Sequence, residues 1–218
     1  MKSRQEIKAR AREALREQRA TAIIMNVIYF VPMILLVALV TPAIGRTIHF
    51  GVELLADYII MFFMMVVLVG CCFVYMKIYK NEQAEIGEMF NGFGQFGRNF
   101  LTGVLLMVHV FLWMLLLIVP GIIKSLSYSW TFFILAQSKG PGIRKSIQTS
   151  MKITQGHKAD IFIFHLSFIG WYLLGALTAG ILLVVFVIPY HYISLAGYYM
   201  EMRDEAIAAG RITAEDLE

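Results

Sequence analysis

From Ile161 to Met202 the chain runs for 42 residues with a single charged side chain, Glu201, close to the end. One helix of that length would measure about 63 Å at 1.5 Å per residue, roughly twice the hydrocarbon thickness of a bilayer. The stretch must therefore fold back on itself. The small-residue segment Gly175-Ala176-Leu177-Thr178-Ala179-Gly180 is the best place for the turn. It divides the stretch into spans 160–178 and 181–202. Pro189 then falls midway along the second of these and predicts a kink, because proline withholds an N–H and crowds the preceding turn. A competing division cuts at Pro189 and leaves a long tilted span followed by a half-inserted tail.

Four further apolar runs precede it. Residues 22–40, 56–76 and 101–119 are each long enough for a membrane-spanning helix of about 20 residues. The third of these ends at Pro120-Gly121, a strong break signal. The fourth run, 122–138, is shorter, and its first turn carries Lys124, Ser125, Ser127 and Ser129. Lys124 is expected at the outer interface, where its stem can snorkel. The predicted fold is all-α: a polytopic transmembrane helical bundle of about six spans with amphipathic cytoplasmic helices. Composition agrees, with 59% hydrophobic and 16% charged residues, against roughly 45–50% and 25% in soluble domains. The predicted organisation is a basic arm at 1–20, a membrane domain at 21–202 and a tail at 203–218. The apolar run after the arm exceeds a signal-peptide core of about 7–15 residues, so it is read as an uncleaved first span.

Charge sets the orientation. Of the 19 basic residues, 17 fall in the arm, the second-to-third connection, the fourth-to-fifth connection and the tail; only Arg46 and Lys124 fall on the other side. The positive-inside bias then puts both termini in the cytoplasm, which requires an even number of spans. The formal net charge of +4 is accounted for by this bias rather than by nucleic acid.

Three cytoplasmic segments have helical periodicity. In the arm, Ile7, Ala11 and Leu15 recur every four residues, as do Ile143, Ile147 and Met151 in the fourth-to-fifth connection, where Pro141 suits a first helical turn. Phe90, Phe93, Phe96 and Phe100 share one side of a glycine-rich segment. Such helices either lie in the headgroup plane or pack on the ends of the spans.

Ionisable groups deep in a membrane are the first functional candidates. No carboxylate reaches the middle of a span: Glu53 and Asp57 sit at an outer start, Asp160 and Glu201 at inner ends. This argues against proton- or sodium-coupled transport. Three histidines do lie within spans, His109, His165 and His191. Counted from the cytoplasmic ends, His109 and His191 share one depth and His165 is shallower. Trp171 and Tyr190, aromatics of the kind that gather at interfaces, are named with them as candidate ligand or structural polar sites. No acid or thiol completes a zinc set around them, and no cofactor is implied. Trp113 lies deeper than an interfacial aromatic and is expected to face protein. The adjacent Cys71 and Cys72 read as small core residues. No phosphate-binding glycine loop, H-E-x-x-H pair or nucleophile elbow is present.

Several short motifs occur in order: Ile7-Lys8-Ala9-Arg10-Ala11, Met89-Phe90-Asn91-Gly92-Phe93, Pro120-Gly121-Ile122-Ile123-Lys124, Ser150-Met151 before Gly156-His157-Lys158, Ser167-Phe168-Ile169-Gly170-Trp171, and Pro189-Tyr190 with the later Tyr199. Together they resemble the bacterial integral-membrane family catalogued as domain of unknown function 975, over nearly the whole chain. The aromatic or glycine-containing entry usual near Gln18–Thr21 is absent. The resemblance implies a polytopic protein of the bacterial cytoplasmic membrane and no particular activity. The family is also similar to the membrane-embedded part of some glycerophosphodiester phosphodiesterases, whose catalytic part is a separate soluble domain for which this chain has no room.

The sequence therefore points to a non-enzymatic scaffold, sensor or accessory factor in the cell envelope. Its expected partners are the bilayer, anionic lipid headgroups at the cytoplasmic face, and a membrane-protein partner or second copy. The alternative is a carrier or channel for a small molecule or lipid, suggested by the helix breaks at Pro120, Gly121 and Pro189. A central cavity lined by His109 and His191 would favour that alternative.

Overall fold

The computed structural model describes residues 2–35, 38, 50–138, 140 and 142–217, with the backbone alone at Met33 and at 50–57. Pro141, Arg46, the end of the first predicted span and the side chains of Glu53 and Asp57 lie outside this description. The described residues are helical, without a strand. Helix α1 (Arg4–Glu17) leads through Gln18 into α2 (Arg19–Leu35). Helix α3 (Phe50–Lys80) is followed by a 3-10 helix (Ile86–Gln95), α4 (Phe96–Leu116), α5 (Ile118–Tyr128) and α6 (Thr131–Gln137). After α7 (Ile143–Ile153) come α8 (Lys158–Leu166), α9 (Ile169–Leu177), a π-helical segment (Leu183–Val187) and α10 (Ile188–Ala208). Among the described residues five stretches are long and apolar enough to cross a membrane: Tyr58–Lys80, Ile86–Leu116, Ile118–Gln137, Lys158–Leu177 and Leu183–Ala208. Arg19–Pro32 is a shorter apolar helix.

Helix α10 is the post around which the others assemble. From Pro189 to Met200 all its residues are buried except the half-buried Tyr192. Helix α1 lies along it, N-terminus to C-terminus. Lys2 Nζ meets Glu201 at 2.6 Å, and Arg12 Nη2 reaches the Tyr190 hydroxyl at 3.4 Å, eleven residues further back along α10. The predicted arm stripe faces inward, with Ile7, Ala11, Ala14 and Leu15 all buried. Ser3 and Glu6 form a capping box at its start, which explains where the helix begins. At its end Gln18 bridges to the chain leaving α3: its amide donates to the Glu82 carbonyl and accepts from the Ala84 N–H. Helix α3 stops at Asn81, whose φ of 66° is the left-handed conformation asparagine tolerates.

The predicted break at Pro120-Gly121 is displaced. Helix α4 ends at Leu116, Leu117 is extended, and Pro120 sits in the first turn of α5. The reason is positional: a proline neither bonds to nor leaves room for the carbonyl four residues earlier, here Leu116. Gly121 permits the tight return, since a Cβ there would meet Met114 Cγ at 2.5 Å. The predicted turn at Gly175–Gly180 agrees with the structure. Helix α9 ends at Leu177, and Ala179 and Gly180 take positive φ. A Cβ on Gly175 would overlap the Leu183 side chain.

Pro189 does not end its helix. It is the second residue of α10, directly after the π segment. A π turn bonds i to i+5, which offers a carbonyl facing the proline ring the next N–H along. The predicted fifth span is not one straight helix either: it breaks at Ser167-Phe168, between α8 and α9.

The phenylalanine segment is a 3-10 helix where an α-helix was expected. At three residues per turn, side chains three apart eclipse. Phe93 and Phe96, three apart, accordingly stack at 6.2 Å, while Phe96 and Phe100, four apart in α4, stack at 5.5 Å at the α-helical spacing. The segment lies flush on α3 because two glycines face each other's backbones. A Cβ on Gly92 would overlap the Val66 carbonyl, and one on Gly70 the Met89 carbonyl. We expect Gly92→Ala to lower stability by about 1–3 kcal/mol through overpacking. Gly94→Ala, where nothing lies within 4 Å of an added Cβ, should leave the melting temperature in detergent unchanged.

Helix α7 closes the gap between α5 and α6. Its buried Ser150 hydroxyl donates to the Ser127 carbonyl at 2.9 Å and accepts from the Trp130 N–H at 3.2 Å. Those are the backbone groups that the interruption at Ser129-Trp130 exposes. On the same helix Ile147 packs with Leu106 of α4 and Tyr128 of α5. Ser150→Ala should therefore cost about 1–3 kcal/mol, the scale of leaving buried polar groups unpaired, and should raise amide exchange at Trp130.

Candidate functional site

The break at Ser167-Phe168 brings a polar and aromatic cluster together beneath α1. Phe164 and Phe168 project from either side of the break, and His191 comes from the first turns of α10. His191 stacks within 4.5 Å of Phe168 and within 5.2 Å of His165, the latter edge to face. Its Nδ1 lies 2.7 Å from the Tyr172 hydroxyl of α9. Its Nε2 is buried and has no partner among the described residues. If the phenol donates, the proton sits on that unpaired Nε2; if the phenol accepts, a lone pair does. Either way one buried polar atom stays unsatisfied, which is uncommon in folded proteins.

Beside it, Trp171 packs on Phe186 at 5.3 Å and edge-on to Tyr190 at 6.3 Å. Four of the residues singled out in the sequence, His165, His191, Trp171 and Tyr190, therefore share one neighbourhood. His109 does not join them. Its Nδ1 is 2.7 Å from the Leu105 carbonyl one turn back, and its ring faces Tyr128 at 6.3 Å. Equal depth along two helices does not make them neighbours: α4 packs on α5 and α7, away from this cluster. Trp113 of α4, expected to face protein, is half-buried with Lys124 Nζ of α5 above its ring at 4.8 Å.

Helix α1 supplies the charge that the sequence reading missed. Lys8 Nζ sits 4.2 Å from the Phe168 ring centre and 5.6 Å from that of Phe164, and donates to the Ser167 hydroxyl. The Arg12 guanidinium lies over the Tyr190 ring at 5.5 Å. Partial burial pushes the Lys8 ammonium below the ordinary lysine value, and the positive charges of Arg4 and Arg12 act in the same direction. A signal for these residues was present. The apolar stripe names the inward face of α1, and Arg4, Lys8 and Arg12 each follow or precede it at the same four-residue spacing.

A second polar place lies under the 3-10 helix, a recess of about 510 Å³ lined by Phe73, Asn91, Asn99, Arg98, Gln137 and Ser138 among others. Arg98 donates to the carbonyls of Leu135 and Ser138, each at 2.9 Å, and Asn99 donates to the Gly92 carbonyl at 2.7 Å. Neither constellation holds a set for hydrolytic or metal chemistry. No group of three or more His, Cys, Asp or Glu is placed to hold a metal among the described residues. The Ser194 hydroxyl is buried and bonds back to the Tyr190 carbonyl at 2.7 Å. Cys71 and Cys72 are free and buried.

The family model described as protein of unknown function (DUF975) matches residues 1–127 and 114–206. The chain belongs to that family. Segments that carried the resemblance are joints of this fold: Ser150 closes the α5–α6 gap, Gly92 touches α3, and Ser167-Phe168 is the break beneath α1. No curated protein matches the chain, and no solved structure does.

The Tyr172–His191 pair is testable as a unit. Tyr172→Phe removes the partner of a buried ring nitrogen and should cost about 1–3 kcal/mol. The double variant Tyr172→Phe/His191→Phe removes both polar groups and should melt close to the parent in detergent. A Tyr172→Phe protein as stable as the parent would mean that water reaches the histidine.

Proposed function

We propose that this chain crosses the bacterial cytoplasmic membrane six times with both termini inside. In this reading it acts as a non-enzymatic scaffold, sensor or accessory factor of the envelope. The observation that carries this is the pairing of the two ends. Lys2 meets Glu201, and α1 lies buried along α10, so the arm and the end of the last apolar helix occupy one side of the bundle. An even number of crossings follows. The five apolar stretches supply five, and α2 begins the sixth. The basic connections Lys77–Lys80 and Arg144–Lys158 lie on that same side, as the positive-inside bias requires. Helices α1 and α7 are the amphipathic cytoplasmic pieces, and they dock on the apolar helices as fixed parts of the bundle. A framework built this way suits holding or reporting on other envelope components.

A second reading, a carrier or channel for a small molecule or lipid, draws on the Arg98 recess, which combines a cation, amides and an aromatic wall. The histidines favour the scaffold instead. His191 is packed among rings, and His109 bonds to its own helix, so they line no common cavity.

Cysteine labelling decides the topology, in a protein with Cys71 and Cys72 replaced by alanine. Thiols placed at Ser138 and Ala214 should resist membrane-impermeant reagents in intact cells and react after lysis. Reaction at Ala214 in intact cells would require an odd number of crossings.

A further inference from the structure

We propose that Arg4, Lys8 and Arg12 form a binding site for the phosphate of an anionic phospholipid where α1 meets the α8–α9 break. The site rests on the reading that α1 lies at the inner membrane surface. The three residues are spaced by four and therefore line one side of α1, at the rim of its buried stripe. None has a carboxylate partner among the described residues. The acids of the surrounding elements are already engaged. Glu201 holds Lys2, Asp160 holds His157, and Glu205 holds His157 and Arg211. On α1 itself Glu6 is spent in the capping box, while Glu13 and Glu17 line the opposite side with Arg10 and Tyr79.

The cations are also poorly satisfied otherwise. Among the described residues Arg4 Nη1 is buried without a partner, and the exposed Arg12 makes only its long contact to Tyr190. Lys8 is half-buried over two phenylalanine rings, and burial and its two basic neighbours hold its pKa below the ordinary lysine value. An anion seated among them would reverse that repulsion. Arginine pairs with phosphate oxygens through parallel N–H bonds, and lysine adds a point charge.

What selects a lipid is the surface next to the charges. Phe162, Ile163, Leu166 and Ile169 are each 43–48% exposed and flank Ser167, the residue that Lys8 touches. A free phosphate has no use for that apolar strip. A phospholipid does: its acyl chains cover the strip while its phosphate meets the cations.

The test uses the full chain in nanodiscs of phosphatidylcholine alone or with one quarter phosphatidylglycerol. Both membrane faces are accessible there, so the result is independent of topology in the cell, which the labelling experiment tests separately. The parent should melt higher with phosphatidylglycerol and retain it in native mass spectrometry. Arg4→Gln/Lys8→Gln/Arg12→Gln should lose roughly a hundredfold in affinity, at about a factor of five per basic residue near a membrane surface. Arg16→Gln/Arg19→Gln/Arg144→Gln removes the same charge from positions outside the site and should lose at least several-fold less. Lys8→Gln alone, with α1 otherwise intact, should show a partial loss if the triple variant fails to fold. Equal losses in the two triple variants would reduce the effect to bulk charge and overturn the site. Equal stabilisation of the parent by millimolar inorganic phosphate in phosphatidylcholine would overturn the lipid assignment.

Discussion

A backbone that is to sit in an apolar medium must satisfy its own hydrogen bonds, and every interruption of a helix needs a partner from elsewhere. This chain interrupts its helices repeatedly and answers several of the interruptions with a specific group. Ser150 reaches from α7 to the gap between α5 and α6. At the α8–α9 break the Ser167 hydroxyl bonds back to the Phe164 carbonyl and takes the ammonium of Lys8. The π segment precedes Pro189. Gln18 holds the chain leaving α3. The connections Ser150, Lys8 and Gln18 come from α7, α1 and the α1–α2 joint. The charged helices are therefore parts of the framework that lets the apolar ones bend.

Close approach is the second constraint. The 3-10 helix lies on α3 through Gly70 and Gly92, and α10 meets Tyr79 of α3 at Gly197, where a Cβ would overlap the phenol ring. The aromatic residues fill what the glycines leave. Trp130, Phe133 and Tyr199 pack within 5.9 Å of one another, and Phe164 stacks on Tyr198 at 4.9 Å. Around the histidines this packing leaves His191 Nε2 without a partner among the described residues, while the cations of α1 stand nearby without carboxylate partners among them, at the edge of an exposed apolar strip.

Some of the site was legible in the sequence. His165 and His191 stood out because ionisable residues in apolar runs are few, and Trp171 and Tyr190 are candidate polar sites beside them. Their grouping followed from the turn at Gly175–Gly180, which returns α10 alongside α9. Tyr172 did not stand out, since a tyrosine in an apolar run needs no explanation until its hydroxyl is seen on a histidine. Lys8 and Arg12 looked like two of many charges on a basic arm. Their role depends on which helix the arm lies against, and no spacing within the arm encodes that.

By itself the sequence determined the helical class, the apolar stretches and the inward face of α1, because hydrophobic periodicity and length are local properties of the chain. It also showed that the last apolar stretch must fold back, and offered Gly175–Gly180 as the best place, with Pro189 as the competing one. The tertiary structure decided which histidines meet. It also made the phenylalanine segment a 3-10 helix and set the arm antiparallel on α10. Each of these depends on contacts between segments distant in sequence. His165 rather than His109 meets His191 because α8 and α9, not α4, lie beside α10.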